Sequence, residues 1–154
     1  MNIAEQYSKL VMKHFKKPHN YGEIKNADGI GTVGNPVCGD VLKLYIKISK
    51  NKKGKEIIKD IKFQTFGCIA AIATSSVITD IVKGKTIEDA LKIKKEEIIK
   101  KLGGLPPIKV HCSVLAVDGL YEAIYDYYKK SKKEIPFFLE KAHKEILERN
   151  KKER

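Results

Sequence analysis

Cysteine is scarce in this chain, with 3 in 154 residues, and their positions at 38, 68 and 112 lie far apart. An odd number with no C-x-x-C pair excludes a disulfide framework and the usual closely spaced structural zinc knuckle. In a reducing compartment such thiols are free or metal-bound. Arginine is scarcer still: only Arg149 and Arg154 stand among 31 basic residues, so lysine carries nearly all of a formal charge of +12. Nucleic-acid readers use guanidinium forks for bases, and two arginines supply few of them. Lysine spread over every segment reads as solvated surface, with attraction of acidic proteins or polyanions as its functional alternative. No apolar run approaches the ~20 residues of a bilayer span. The opening "MNIAEQYSKLVMKHFKK" lacks the charged, apolar, small-residue order of a secretory signal. The expected location is cytoplasmic, with neither membrane nor nucleic acid as a partner.

What remains is a composition of 42% hydrophobic and 32% charged residues, enough to build one soluble core without staples. Ile3, Tyr7, Leu10, Val11, His14 and Phe15 recur at helical spacing and predict a first helix ending before Pro18. Gly22, Gly29, Gly31 and Gly34 then mark irregular chain. In "VLKLYIKIS", Leu42, Leu44, Ile46 and Ile48 alternate with Lys43, Tyr45 and Lys47; "IIKDIKFQTF" alternates through Ile57, Ile61 and Phe63. Joined by "NKKGKE", the two runs predict an antiparallel hairpin. From Cys68 to Val82 small and β-branched residues predict a close-packed helix with Ile69, Ile72, Ala73 and Ser76 on one face. Thr86 with Asp89 three residues on predicts a short capped helix, and "KKEEIIKKL" another that Gly103 and Gly104 stop. Val114, Val117, Tyr121, Ile124 and Tyr128 predict a long amphipathic helix, and the segment after Pro136 a last, highly charged one. Strands first, helices later and no repeated βαβ unit give an α+β class, an antiparallel sheet of about three strands covered by helices.

The cysteines occupy special places. Cys38 lies in the loop "GNPVCGD" with Asp40 two residues on. Cys68 leaves a predicted strand and opens a helix, where free amides and the helix dipole lower a thiol's pKa. Cys112 repeats this arrangement after "LPPIKV", with His111 beside it. Core packing does not require such a pattern. Three thiols with a carboxylate and an imidazole make a metal site, but iron–sulfur clusters usually take four cysteines, so a permanent cofactor would sit there incompletely. A labile site suits a protein that builds something and hands it on. A Cys112/His111 hydrolase is a poor alternative, because adjacent residues at a helix start point apart.

"NPVCGDVLKLYIKI", "FQTFGCIAAIATSS", "VKGKTIEDALKIK" and "LPPIKVHCSVLAVDGLYEAI" resemble, in order and spacing, the U-type iron–sulfur cluster assembly scaffolds, IscU and the N-terminal module of NifU. The resemblance runs from about Tyr7 to Tyr128 and implies an IscU/SufE-like fold. It assigns residues 1–128 to the scaffold domain and 129–154 to a basic helical extension, packed on that domain or extending from it. It implies a carrier rather than an enzyme: a transient 2Fe-2S cluster assembled from iron and desulfurase-derived sulfur, then passed to apo-proteins. Cys38, Asp40, Cys68, His111 and Cys112 are the implied cluster and metal ligands, with Cys112 also the sulfur acceptor and Asp40 making the cluster releasable. Lys109 is an electrostatic neighbour. Leu105, Pro106, Pro107, Ile108 and Lys109 match a segment recognised by DnaK/DnaJ-type chaperones, with Ile108 replacing Val. Further implied partners are an IscS/NifS-type cysteine desulfurase, apo iron–sulfur proteins, a ferredoxin, a frataxin-like protein and a second copy holding the cluster in a homodimer. Zinc is implied for the cluster-free form. The alternative is a SufU-like zinc-dependent sulfurtransferase that relays persulfide sulfur; His111 directly before Cys112, and no insertion before "VKGKT", side with the Isc type.

Overall fold

A computed structural model describes residues 6–35 and 40–152. Ile3 and Cys38, named above, lie outside the described residues. Helix α1 (Lys9–Lys16) starts at Ser8, whose hydroxyl accepts the Val11 N–H at 3.0 Å and donates to the Leu102 carbonyl, and it stops before Pro18 as predicted. Three antiparallel strands follow among the described residues, β1 (Gly29–Asn35), β2 (Asp40–Lys50) and β3 (Glu56–Phe66), in the order β1-β2-β3. Helices α2 (Ile69–Val82), α3 (Ile87–Ala90) and α4 (Lys95–Lys101), a 3-10 turn (Pro107–Lys109), α5 (His111–Lys130) and α6 (Phe137–Lys152) complete the order. Helix α5 lies on β1 and β2, and α2 packs against β3, α1 and α5. The α+β architecture with an antiparallel sheet is the one expected.

The hairpin forms with Leu44 opposite Phe63 and Ile46 opposite Ile61, all four buried. Three expectations need correction. Ile57 is only half-buried, whereas Ile58 is fully buried. The pairing steps from Lys47 opposite Asp60 to Ile48 opposite Ile58, and this bulge at Lys59 reverses which residues face the core. The glycines at 29, 31 and 34 do not mark irregular chain: they belong to β1. Glycine is needed there because α5 rests its backbone on the strand; a Cβ on Gly31 would lie 2.3 Å from the Gly119 carbonyl oxygen. Third, α2 is close-packed as expected, but Ile69 and Ile72 of the face named above are half-buried while Ala70, Ala71, Thr74, Ser75, Val77, Ile78 and Thr79 around it are buried. Small side chains allow this close approach on all sides. In α5 Ser113, Ala116, Leu120, Ala123 and Ile124 are fully buried, while Val114, Val117, Tyr121 and Tyr128 flank them half-buried.

Thr86 caps α3 by accepting the Asp89 N–H at 3.1 Å, and α4 gives way to Gly103 and Gly104 at φ +72° and +103°. Helix α6 packs on α5 and β1. Its Leu139 and Ile146 are buried, its His143 stacks on Tyr125 at 3.7 Å between ring centroids, and Arg149 pairs with Asp118 at 3.1 Å. No helix among the described residues is long and apolar enough to cross a membrane.

Candidate functional site

Three chain segments far apart in sequence bring Asp40, Cys68 and Cys112 together, with one ligating atom of each within 4.8 Å of the others. Asp40 opens β2, Cys68 is the N-cap of α2, and Cys112 is the second residue of α5. Each side chain therefore stands at the end of an element, on one edge of the fold. Both sulfurs lie 3.8 Å from Asp40 Oδ2, and they lie 3.9 Å from each other, unbonded. Asp40 is 3% exposed and Cys112 1%, whereas Cys68 is half-buried. Cys112 packs with Ala70 and Ala71 of α2, with Tyr7 and Leu105 over them.

The electrostatics separate the two thiols. The hydrogen bond donated by Cys112 is the largest influence on Cys68; burial opposes it, and the Ala71 amide and Lys109 ammonium help it, so Cys68 falls to about 6. At neutral pH Cys68 is thus a thiolate, hydrogen-bonded by the Cys112 sulfur. Lys109 completes the balance: burial pulls its ammonium pKa down, but electrostatic coupling to this group, the negative charge of Cys68 first, outweighs burial and raises it. Tyr7 is raised by burial first and then by the Cys68 charge, which keeps it a neutral phenol beside the thiols.

Of the residues expected here, Asp40, Cys68, Cys112 and Lys109 converge. Cys38 lies outside the described residues. His111 opens α5 half-buried and is not one of the three whose ligating atoms share the 4.8 Å group. Leu105 and Lys109 of the "LPPIK" stretch wall the thiols, with a 3-10 turn over Pro107–Lys109 and Ile108 77% exposed. Two further residues border the site. In the sequence Tyr7 shows only as an apolar helical position. Gly67, beside Cys68, has no room for a side chain: a Cβ would lie 2.8 Å from Asp40 Oδ1. Its signal was available, a glycine directly before a helix-capping cysteine.

The chemistry of this group is that of a soft metal site with one hard ligand, two sulfurs and a carboxylate, backed by a cation. The profile of the family described as "NifU-like N terminal domain" matches residues 6–134. An iron–sulfur cluster assembly scaffold protein IscU from Archaeoglobus fulgidus is 58% identical over 127 residues, covering 82% of this chain and 80% of that protein. The IscU of Aquifex aeolicus is 44% identical, covering 83% of this chain and 80% of its own. Among solved structures, the N-terminal part of a nitrogen-fixing NifU-like protein from Brucella abortus superposes with a TM-score of 0.64 at 20% identity, over 83% of this chain and 98% of that one. A SUF-system cluster assembly scaffold from Fervidobacterium islandicum gives 0.63 at 24% identity, over 80% and 99%. These two likenesses concern the fold. The chain belongs to the NifU-like N-terminal domain family, the IscU/NifU-type scaffolds.

Proposed function

We propose that this chain is an iron–sulfur cluster assembly scaffold, on which iron and sulfide are combined at Asp40, Cys68 and Cys112, with Cys38 completing the thiolates. The observation that carries the reading is the convergence of two thiols and a carboxylate from three element ends, one thiol already ionised near neutral pH. A thiolate at Cys68 offers incoming iron a ligand without a proton to lose. Binding there removes the reason for Cys112 to keep its proton, and the second sulfur follows. Asp40 supplies a hard oxygen ligand that holds iron less firmly than a fourth thiolate, which suits cargo that must leave. The cluster is cargo passed to apo-proteins, and the chain acts as carrier.

Sulfur arrives as the persulfide of a cysteine desulfurase. Cys112 gives its proton to the Cys68 thiolate 3.9 Å away and attacks the terminal sulfur, the donor's S–S bond breaks, the donor cysteine leaves as thiolate, and Cys112 becomes the persulfide. Two electrons from a ferredoxin-type donor then cleave that S–S bond, returning the Cys112 thiolate and giving sulfide to iron. Cys112 is 1% exposed, so this transfer requires the wall formed by the Leu105–Lys109 segment to yield to the donor. The exposed Ile108 gives a partner something apolar to grip on that wall.

The test is anaerobic reconstitution with iron, cysteine and a desulfurase, with iron, labile sulfide and zinc counted per chain. About two irons and two sulfides per cluster, lost on adding an apo-ferredoxin, are expected of a 2Fe-2S scaffold. Zinc retained through sulfur transfer with no sulfide formed would establish a zinc-dependent relay instead. Cys112→Ser should accept no sulfur by intact-mass measurement, and persulfide at Cys68 in that variant would move the acceptor there. Asp40→Ala should hold its cluster longer than wild type.

A further inference from the structure

A second group of metal-binding side chains sits at the other end of α2. His14 from α1, His19 from the loop after it and Asp80 from α2 each place one ligating atom within 4.8 Å of the others. Asp80 lies twelve residues beyond Cys68, about 18 Å along a helix that rises 1.5 Å per residue, so this group is separate from the thiolate pocket. From the arrangement of these three side chains we infer a second metal site, taking one borderline first-row divalent cation of the zinc, cobalt or ferrous class.

Three observations carry it. Two imidazoles and a carboxylate are the donor set such ions take, too soft for calcium or magnesium and too hard for cuprous copper. Both histidines are anchored to one buried hydroxyl. The buried Ser76 hydroxyl lies 2.8 Å from His14 Nδ1 and also accepts the His19 backbone N–H at 2.8 Å. With His14 Nδ1 donating to that hydroxyl, the ring's lone pair resides on Nε2, the tautomer a cation needs. The displacement required of the His19–Asp80 pair is small. His19 Nδ1 and Asp80 Oδ2 now lie 2.6 Å apart across a hydrogen-bonding proton, and a tetrahedral ion with bonds near 2 Å needs its ligands roughly 3.3 Å apart. Exchanging that proton for a cation opens the pair by less than an ångström. The two side chains are 49% and 43% exposed, so they move without disturbing the core, and water fills the remaining coordination positions. Asn20, at φ 59°, turns the loop back onto α2 and donates to Thr79 Oγ1 at 2.9 Å, which holds His19 over Asp80.

The experiment is a Co2+ titration of the full, reduced chain under anaerobic conditions, followed by stoichiometry and absorption. Cobalt on thiolates gives an intense sulfur-to-metal charge-transfer band, and cobalt on nitrogen and oxygen gives none, so the two sites report separately. The expected result is two equivalents per chain, one without the band. His19→Gln and Asp80→Asn should each weaken that equivalent by at least about tenfold while leaving the band unchanged. Asp80→Asn retains a hydrogen-bonding partner for His19, so loop attachment is preserved, and the unchanged band certifies the fold of both variants. A single equivalent carrying the band, or two equivalents bound as tightly by both variants as by wild type, would overturn the site. A band-free equivalent alone, sensitive to both substitutions, would uphold it and count against the thiolate pocket.

Discussion

At the scale of residues, the unequal state of two thiols 3.9 Å apart is the feature with the most direct chemical consequence. Cys68 is lowered from 9.0 to about 6, first by the Cys112 hydrogen bond, so in the metal-free, reduced chain its reaction with iodoacetamide should rise through a midpoint near pH 6. Peptide mass spectrometry after timed alkylation reads this directly. In Cys112→Ala the donor is gone and the midpoint should move upward; a midpoint unmoved in that variant would assign the shift to Lys109 and the Ala71 amide instead. Cysteine positions and their helix starts were legible in the sequence, because a cysteine following "TFG" or "IKVH" marks a boundary in the chain itself. The Cys112-to-Cys68 hydrogen bond was not, since it joins residues 44 apart and depends on where two helices begin in space.

Elements decide how the site is held. Helices α2 and α5 start at the same edge of the sheet because α5 lies directly on β1, and that contact depends on Gly29, Gly31 and Gly119. Gly29 and Gly31 read as loop in the sequence; only the helix lying on the strand explains them. The closing helix α6 is likewise more than an appended charged segment. Ile146 is 2% exposed among Val33, Leu42, Phe63 and Leu115, all residues of the sheet and α5. Ile146→Ala should therefore cost about 2–4 kcal/mol in urea denaturation. A cost within about 0.5 kcal/mol, the range of surface substitutions, would mean that α6 stands apart from the domain. We propose that residues 129–154 are part of the same folding unit.

For the whole molecule, stability should depend on pH through the contact between α5 and α6. Burial raises Asp118 from 3.8 to about 6 despite the neighbouring Arg149 guanidinium. A carboxyl raised on folding binds more protons in the folded chain than in the unfolded one between about pH 4 and 6. Its contribution is complete below that window and is lost as pH rises through it. Asp118→Asn, which cannot ionise, should gain roughly 1–3 kcal/mol over wild type at pH 7 and little at pH 4. Urea midpoints at the two pH values measure it; a loss at pH 7 would show that the Arg149 pair outweighs burial.

The sequence by itself determined the class of fold, the hairpin, the helix caps at Thr86 and Gly103, and the residue types of the thiolate site, because periodicity, turn chemistry and capping act over a few neighbouring residues. The tertiary structure alone decided that Ile58 replaces Ile57 in the core, that the glycine run is a strand, and that Tyr7 and Gly67 border the thiols. It alone also set His14, His19 and Asp80 against one another, three residues unremarkable in the sequence, across more than sixty positions of chain. Each of these follows from bulges, helix placement and packing between segments distant in the chain, which local patterns do not encode.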